Sequence, residues 1–324
     1  MTVTATVLGA GSVGLGIAAS LAIAGQRVTL LARAGSVAAL RASAITVSGL
    51  HGEHALAAGA IAIEEAAAPS ATARSCDMLV VTTKAHDIAA ALAPFAGAEP
   101  APRAVLSLHN GIGASEAIRA ALGPGIPIYA SAMMIGLERQ GIAHVVSKAA
   151  SSPINAGPLL GDATAPLERF VAAAQGGFLP MRVDPTIRET VLFKLLFNTC
   201  MNPTGALTGL TYGELVTHPS TRGLIERLAE ETLAVLAAAH GYRPAASGEA
   251  YARDTLTPIV IPRSAGHRSS MLQDVAAGRR TEMASLNGAV ARLGRLHGIA
   301  TPTHDALIDL IGARSPGDPT KEVR

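Results

Sequence analysis

A glycine-rich turn near the amino terminus, Gly9–Gly14, has the pattern G-x-G-x-x-G and constrains the fold more than any other feature. It follows Thr4–Leu8, an apolar run that predicts a strand, and it opens Val13–Ala24, which predicts a helix ended by Gly25. A second predicted strand, Arg27–Leu31, comes next. Strand, helix and strand in this order predict a βαβ unit with parallel strands and a right-handed crossover.

In this context the glycines predict a dinucleotide site. The first, Gly9, permits the tight turn, Gly11 lets a pyrophosphate approach the backbone, and Gly14 lets helix and strand pack closely. The amino terminus of the predicted helix supplies N–H groups and a partial positive charge to the phosphates. The alternative is a flexible Gly-Ala loop with no function.

The end of the second strand discriminates between NAD and NADP(H). NAD enzymes usually place Asp or Glu about 20 residues past the glycines, to accept from the ribose 2′-hydroxyl. Here no acidic residue precedes Glu53, and Arg33 stands after the strand. A guanidinium pairs with a 2′-phosphate and stacks on adenine, so NADP(H) is favoured. The alternative is a solvated surface arginine.

The rest of the chain predicts an α/β fold followed by a helical region. Four more apolar runs predict strands, namely Ile45–Val47, Met78–Thr82, Ala104–Leu108 and Ile128–Ala130. Five later segments predict helices, namely Thr190–Cys200, Pro219–His240, Ser270–Ala277, Thr281–His297 and Thr303–Ile311. We therefore expect a Rossmann-type, doubly wound and mostly parallel sheet in an NADP(H)-binding domain over residues 1–185. An all-helical substrate domain follows over residues 186–324.

Composition argues against several classes of protein. The net charge is only +2 and aromatic residues make up 3%, so the chain lacks the basic, aromatic surface that binds nucleic acids. Two cysteines, Cys76 and Cys200, are too few for a metal cluster of their own and indicate reduced thiols in a cytoplasmic protein. The uncharged stretch Thr2–Gln26 has no basic residue ahead of it and is interrupted by glycines, so we expect neither a signal peptide nor a membrane span.

Two loops at the carboxyl ends of predicted strands carry polar residues, at the edge where open α/β sheets bind ligands. Lys84 can donate to a ribose or an anionic ligand, and Asn110 can hold a carboxamide or a hydroxyl. The alternatives are a surface lysine and a turn-forming Asn-Gly pair.

The segment Glu189–Pro203 predicts a catalytic helix. It is apolar nearly all round, yet Lys194, Asn198 and Asn202 recur every four residues and share one face. Apolar neighbours desolvate such a lysine and make it a better proton donor near neutral pH. This suits ketone reduction, in which an alkoxide needs a proton. The alternative is a snorkelling lysine with two capping asparagines.

Two further residues have both a functional and a local interpretation. Ser270 stands at a predicted helix start, where it either binds a substrate carboxylate or caps the helix. Glu282 either orients Lys194 or complements a helix dipole.

In their order along the chain, these motifs resemble the ketopantoate reductase family, the NADPH-dependent enzymes of pantothenate synthesis. The resemblance covers nearly the whole chain and rests on Gly9–Gly14, Arg33, Thr83-Lys84-Ala85, His109-Asn110-Gly111, the Lys194/Asn198/Asn202 helix, Ser269–Asp274, Thr281-Glu282 and Asn287-Gly288.

The resemblance implies reduction of ketopantoate (2-dehydropantoate), by a Rossmann domain hinged to a helical domain with the substrate between them. It implies that Lys194 is the general acid and that Glu282 positions it. The substrate-binding positions it implies are Asn110, Asn198, Asn202 and Ser270. The cofactor-binding positions are Gly9, Gly11, Ser12, Val13, Gly14, Arg33, Lys84 and Asn110.

The chain departs from the family pattern at two positions. Leu192 stands where members often carry Trp, and Tyr212 replaces an Asn that often precedes the Gly-Glu-Leu triplet. The second change touches the substrate pocket, so a related reductase acting on another 2-oxo acid or an imine is the alternative enzyme. A non-catalytic NADP(H)-binding regulator is the alternative from another class. A homodimer through an apolar helical face is compatible with the sequence, which does not separate such a face from core.

Overall fold

The chain divides into two compact units in the computed structural model, which describes residues 2–150, 152–160 and 163–315, without the side chains of residues 149 and 150. The first unit comprises Met1–His109 and Ala114–Arg188, and the second comprises Asn110–Gly113 and Glu189–Arg324. This division falls three residues beyond the position predicted from the sequence. The tetrapeptide Asn110–Gly113 belongs with the helical unit, although it directly follows a strand of the first.

The first unit is built on an eight-stranded, mostly parallel sheet, as predicted. Its strands are β1 (Thr4–Leu8), β2 (Arg27–Ala32), β5 (Ala62–Glu65), β6 (Met78–Val81), β7 (Val105–Ser107), β8 (Ile128–Ala132), β11 (Ile154–Leu160) and β12 (Met181–Val183). They lie in the order β12-β11-β8-β7-β6-β1-β2-β5, and β11 runs antiparallel to β8. The crossover from β1 to β2 through the first helix forms the expected βαβ unit.

Neighbouring residues of the central strands belong to two different core clusters. Val80 of β6 lies in one cluster, whereas Leu79 and Val81 lie in the other, and all three are fully buried. Because successive side chains point to opposite faces of a strand, both faces of the sheet are covered. This explains why the strand sequences are continuous apolar runs.

Six helices belong to the first unit or its loops, namely α1 (Ser12–Ile23), α2 (Ala34–Ala42), α3 (Ala71–Arg74), α4 (Ile88–Leu92), α5 (Ala114–Leu122) and α6 (Ala165–Ala174). The first of them starts at the glycine turn, so its amino terminus lies at the carboxyl end of β1. That is the edge where dinucleotides bind in this type of fold.

A second, four-stranded sheet in the same unit differs from the prediction. It contains β3 (Ile45–Gly49), β4 (His54–Leu56), β9 (Ile135–Gln140) and β10 (His144–Ala150), in the order β4-β3-β10-β9. The predicted strand Ile45–Val47 therefore exists, but its assignment to the main sheet was wrong. Its buried and half-buried residues alternate, as expected for a strand with one covered face.

The second unit is helical, as predicted. Its helices are α7 (Ile187–Thr208), α8 (Tyr212–Thr217), α9 (Pro219–His240), α10 (Gly248–Tyr251), α11 (Ser270–Ala276), α12 (Asn287–Leu296) and α13 (Pro302–Arg314). A π-helical stretch, Ala252–Val260, continues α10. Among the described helices none is both long and apolar enough to cross a membrane.

Helix α7 continues past its predicted end at Cys200 and contains Pro203. A proline has no N–H, so the carbonyl of Thr199, four residues earlier, loses its helical donor. The side-chain amide of Asn287 donates to that carbonyl over 3.0 Å. This long-range bond gives the carbonyl a donor again and so offsets part of the cost of a proline inside the helix.

The predicted helix Thr281–His297 was wrong in its first part. Met283–Ser285 form a single 3₁₀ turn, Leu286 has φ −107° and ψ −102°, and α12 starts only at Asn287. Glu282 therefore lies at the start of a short turn.

Candidate active site

The glycine turn of the first unit has the geometry that its sequence predicts. Gly9 has φ +115°, a conformation that favours glycine, and its N–H donates to the carbonyl of Leu31 over 3.0 Å. A Cβ built on Gly14 would lie 1.7 Å from the carbonyl oxygen of Gly9. The close packing of α1 on this turn therefore excludes any side chain at position 14.

The loop after β6 supports the turn from the side. The hydroxyl of Thr82 lies 3.0 Å from each of the carbonyl oxygens of Leu8 and Gly9 and donates to them. The next hydroxyl, Thr83 Oγ1, is buried and has no hydrogen-bond partner among the described residues. A buried hydroxyl without a partner is costly, so its place beside the turn indicates a polar ligand.

The amino terminus of α1 is open to an anion. Its N-cap is Gly11, which has no side chain to cap the helix, and the first turn contains no acidic residue. A Cβ built on Gly11 would meet nothing within 4 Å, so there is free space above the backbone. The N–H groups that follow at Ser12 and Val13 fit the phosphates of a dinucleotide.

The two predicted cationic ligands of the cofactor lie in the same unit. Arg33 is exposed at the N-cap of α2, directly after β2. Lys84 is half-buried at the N-cap of the 3₁₀ turn Ala85–Asp87, after β6. Both therefore follow carboxyl ends of strands in the main sheet.

In the second unit, α7 carries the predicted polar face. The exposed fractions of Lys194, Asn198 and Asn202 are only 8%, 5% and 3%, and the adjacent Leu195 and Leu196 are fully buried. Lysine is almost never so buried without a partner or a task. Burial lowers the pKa of Lys194 to about 8, while the negative charge of Glu282 acts in the opposite direction and raises it.

The carboxylate of Glu282 is held by the tetrapeptide Asn110–Gly113. Asn110 Nδ2 donates to Glu282 Oε2 over 2.9 Å. Gly111, with φ +81°, packs so closely that a built Cβ would lie 2.0 Å from the carbonyl oxygen of Ser285. The next N–H, of Ile112, donates to that oxygen over 3.3 Å. Asn110 is therefore placed to orient the carboxylate.

The two asparagines of α7 differ in their partners. Asn198 Nδ2 is buried and has no hydrogen-bond partner among the described residues, so it is a donor without an acceptor. Asn202 Oδ1 accepts from the phenol of Tyr212 over 3.0 Å. Asn198 is therefore the one with free capacity for a ligand, while the side-chain oxygen of Asn202 is already engaged.

The serine pair at the start of α11 is divided in its roles. Ser269 is buried, caps the helix by accepting from Leu272 N over 3.1 Å, and donates to the carbonyl of Asn202 over 3.1 Å. Ser270 is exposed at the first helical position. The local interpretation of Ser270 as the cap was therefore wrong, and its substrate-binding role stays a prediction.

Comparison with known proteins gives the family of this chain. The sequence profile described as ketopantoate reductase PanE/ApbA matches residues 5–161, and the profile of its C-terminal domain matches residues 186–315. A 2-dehydropantoate 2-reductase of Halobacterium salinarum is 33% identical over 75% of this chain and 77% of its own length. The chain belongs to the ketopantoate reductase family. It is accordingly an oxidoreductase.

Other members of the ketopantoate reductase family match over similar or greater lengths. The 2-dehydropantoate 2-reductase of Mesorhizobium japonicum is 31% identical over 94% of this chain and 96% of its own. Among solved structures, a ketopantoate reductase from Ralstonia eutropha has a TM-score of 0.82 at 24% identity, with 97% of this chain and 98% of that one covered. A D-mandelate dehydrogenase has a TM-score of 0.83 at 21% identity, with the same coverage. At these identities the structural matches show the shared fold alone.

Within this ketopantoate reductase family member, the second unit brings together Lys194, Glu282 and Asn110, which are distant in sequence. The first unit brings together the glycine turn and the carboxyl end of β2. Among the described residues no group of His, Cys, Asp or Glu is arranged to hold a metal.

Sequence reasoning missed three polar groups beside these sites. Thr83 was noted only as part of a motif, and Ser269 was passed over in favour of its neighbour. The third is Arg139 of β9, whose Nη1 donates to the carbonyl of Ala10 in the glycine turn over 2.8 Å. No sequence motif marks Arg139, because its contact with the glycine turn depends on how β9 of the second sheet packs.

Proposed function

We propose that this chain reduces ketopantoate to pantoate with NADPH, the step of pantothenate synthesis that its family carries out. The observation that carries the proposal is the buried Lys194 on α7. Burial lowers the pKa of its amine, and the charge of Glu282 raises that pKa in part. Membership of the family and relatives named 2-dehydropantoate 2-reductase support the same reaction.

The residues of the first unit fit a nicotinamide dinucleotide. The open helix terminus after Gly11, the unpartnered hydroxyl of Thr83 and the exposed Arg33 would hold its phosphates, with Lys84 beside them. When bound, NADPH supplies the hydride that reduces the carbonyl carbon. Arg33 in place of an acidic residue supports NADPH over NADH.

Lys194 has the properties of a general acid for this reaction. With a pKa lowered to about 8, its amine is largely protonated at neutral pH and yet gives up its proton more easily than an ordinary lysine. As the carbonyl carbon gains hydride, the two π electrons move to the oxygen, and that oxygen takes a proton from Lys194 Nζ. Solvent then returns a proton to the neutral amine.

The surrounding groups position this acid and the substrate. Glu282 keeps the ammonium form of Lys194 populated, and the hydrogen bond from Asn110 fixes the direction of the carboxylate. Asn198 Nδ2 has a free donor for a substrate oxygen. Asn202 and the hydroxyl of Ser270 complete the proposed substrate contacts, with Ser270 facing the carboxylate of the 2-oxo acid.

A second candidate is the reduction of a 2-oxo acid with a different side chain. The observation that favours it is Tyr212, which places a phenol in the region where the family often has Asn and engages the oxygen of Asn202. Phe197 packs edge-on against that ring, with centroids 5.5 Å apart. An aromatic wall of this kind suits a less polar side chain than that of ketopantoate. The D-mandelate dehydrogenase of the same fold is described with NADH and anilino(oxo)acetate bound.

The test is a steady-state assay of NADPH oxidation with ketopantoate first and a panel of other 2-oxo acids second, each repeated with NADH. The proposal predicts the highest kcat/KM for ketopantoate with NADPH. Turnover of another 2-oxo acid with negligible activity on ketopantoate would leave only the second candidate. Cofactor binding with no carbonyl reduction at all would favour a regulator. A homodimer, which is compatible with the sequence, is tested by the molar mass in solution.

A further inference from the structure

An arginine of the second sheet reaches the glycine turn. Arg139 lies on β9, and its Nη1 donates to the carbonyl oxygen of Ala10 over 2.8 Å, while its Nε donates to the carbonyl of Gly141 over 3.0 Å. Ala10 stands between the two glycines that bend the turn. The guanidinium of Arg139 is therefore fixed against the backbone that would carry a dinucleotide, and it has further N–H groups beyond these two bonds.

The same turn is tied to the end of β2. Gly9 N–H donates to the carbonyl of Leu31 over 3.0 Å, two residues before Arg33. The turn is therefore bonded to the strand that leads to Arg33, through Gly9, and to the side chain of Arg139, through Ala10. Burial lowers the pKa of Arg139, and the positive charge of Arg33 lowers it further, as expected for two cations that lie near each other.

Two like charges beside one another repel, and Arg139, which is partly buried, also loses hydration. Glu138 precedes Arg139 in the strand, but its carboxylate forms an ion pair with Lys148. Its charge therefore balances that of the lysine. Two neighbouring guanidinium groups form an arrangement that binds a dianionic phosphate, because each fork can donate two parallel hydrogen bonds to phosphate oxygens.

We propose that Arg139 is the second guanidinium of a 2′-phosphate site, together with Arg33, and that it contributes to the selection of NADPH over NADH. The inference rests on the proposed use of NADPH and adds a specificity-determining residue to it. The competing explanation is a purely structural role, in which Arg139 only stabilises the glycine turn through its hydrogen bond to Ala10. The two explanations predict different effects on affinity. A residue that only stabilises the turn contributes equally to the binding of both cofactors, whereas a phosphate ligand contributes only to the binding of NADPH.

The test measures the dissociation constants of NADP⁺ and NAD⁺ by calorimetry, without substrate, for wild type, Arg139→Met, Arg139→Lys and Arg33→Met. Arg103→Met is the matched control, since Arg103 is an exposed arginine of the same unit that pairs with Asp77 at 3.6 Å. We expect Arg139→Met to weaken NADP⁺ binding about tenfold and NAD⁺ binding less than about twofold, as for loss of one charge-assisted contact. Arg33→Met should act in the same direction, and the control should change neither constant.

If Arg139→Met weakens the binding of NADP⁺ and NAD⁺ equally, the structural role is correct and the inference is wrong. Unchanged binding of both cofactors would also overturn the inference. A wild-type protein with no preference for NADP⁺ would overturn it as well. If thermal melting shows that Arg139→Met does not fold, Arg139→Lys decides. It keeps the charge but loses the fork, so it should weaken NADP⁺ binding selectively, and wild-type binding by this variant would contradict the proposal.

Because the measurement needs no 2-oxo acid, its outcome is separate from that of the proposed reaction. Selective loss of NADP⁺ affinity in a protein that fails to reduce ketopantoate would contradict the proposed substrate and leave the role of Arg139 intact.

Discussion

Asn110 and Glu282, which are 172 residues apart in the chain, are joined by a hydrogen bond of 2.9 Å from the amide Nδ2 to the carboxylate Oε2. Both belong to the second unit, where the charge of Glu282 raises the pKa of Lys194 against the larger effect of burial. The hydrogen bond fixes the direction of the carboxylate whose charge stabilises the protonated form of the proposed acid.

The first prediction concerns the pH dependence of turnover. Lys194 must be protonated to act as the acid, and its pKa is lowered to about 8, so kcat for ketopantoate reduction should fall as the pH rises above about 8. Glu282→Gln removes a charge that raises this pKa, so the alkaline limb of the kcat profile should move to lower pH. Glu282→Asp keeps the charge and should leave the limb close to its wild-type position. A limb that does not move in Glu282→Gln would contradict the positioning role.

The second prediction tests the acid itself. Lys194→Met keeps much of the side-chain volume in a buried position and removes the proton donor, so kcat should fall by about 10²–10⁴-fold. NADP⁺ affinity and melting temperature should stay near their wild-type values, since the methionine suits an apolar surrounding. Lys148→Met, at an exposed lysine, is the matched control and should leave kcat unchanged. Near wild-type turnover by Lys194→Met would eliminate the mechanism.

The third prediction concerns the choice of 2-oxo acid. Tyr212→Asn restores the residue that the family often carries and replaces a buried ring by a short amide. The ratio of kcat/KM for ketopantoate to that for a 2-oxo acid with an apolar side chain should therefore rise. Tyr212→Phe is the control: it keeps the ring and should keep the wild-type ratio. It leaves Asn202 Oδ1 buried without its donor, which should lower the free energy of unfolding by about 1–3 kcal/mol. Equal ratios in wild type and Tyr212→Asn would remove Tyr212 from the substrate site.

The fourth prediction concerns the glycine turn. The methyl carbon of Gly14→Ala would lie 1.7 Å from the backbone oxygen of Gly9, so the turn and α1 must move apart. We expect a loss of about 1–3 kcal/mol in stability and weaker binding of both NADP⁺ and NAD⁺. Gly223→Ala, in the interior of α9 with only the end of Arg227 within 4 Å, is the control and should be neutral or stabilise by up to about 1 kcal/mol. Chemical denaturation and cofactor titration measure both, and unimpaired binding by Gly14→Ala would argue against the pyrophosphate site.

The fifth prediction concerns stability in acid. His304 is fully buried, accepts a hydrogen bond at Nδ1 from Asn287 over 3.0 Å, and has its pKa lowered to about 4, mainly by burial. The unfolded chain therefore binds a proton at pH values where folded His304 does not. The contribution of His304 to the free energy of unfolding should be constant above pH 6.5 and fall as the pH drops from about 6.5 to about 4, by on the order of 3 kcal/mol. Urea unfolding at several pH values measures it. His297→Gln, at an exposed histidine, should keep this dependence, and a flat profile in wild type would contradict it.

Local patterns predicted the elements whose hydrophobic period and end signals agree. Thr4–Leu8 and Pro219–His240 were predicted with their observed bounds, because an apolar run before glycine and a proline start with a glycine end are local signals. Strand pairing is not local. Ile45–Val47 was assigned to the wrong sheet because its partners, β4 and β10, are chosen by packing that the sequence pattern of one strand does not contain.

The sequence by itself determined the glycine turn and the stripe of Lys194, Asn198 and Asn202, because the conformational freedom of glycine and the helical period belong to the residues themselves. Only the tertiary structure decided what these groups meet. The pKa of Lys194 is set by burial and by Glu282. The side-chain oxygen of Asn202 accepts a hydrogen bond from Tyr212, and the guanidinium of Arg139 reaches the carbonyl of Ala10 from β9. Dielectric surroundings and hydrogen-bond partners come from residues far away in the chain, so no local pattern contains them.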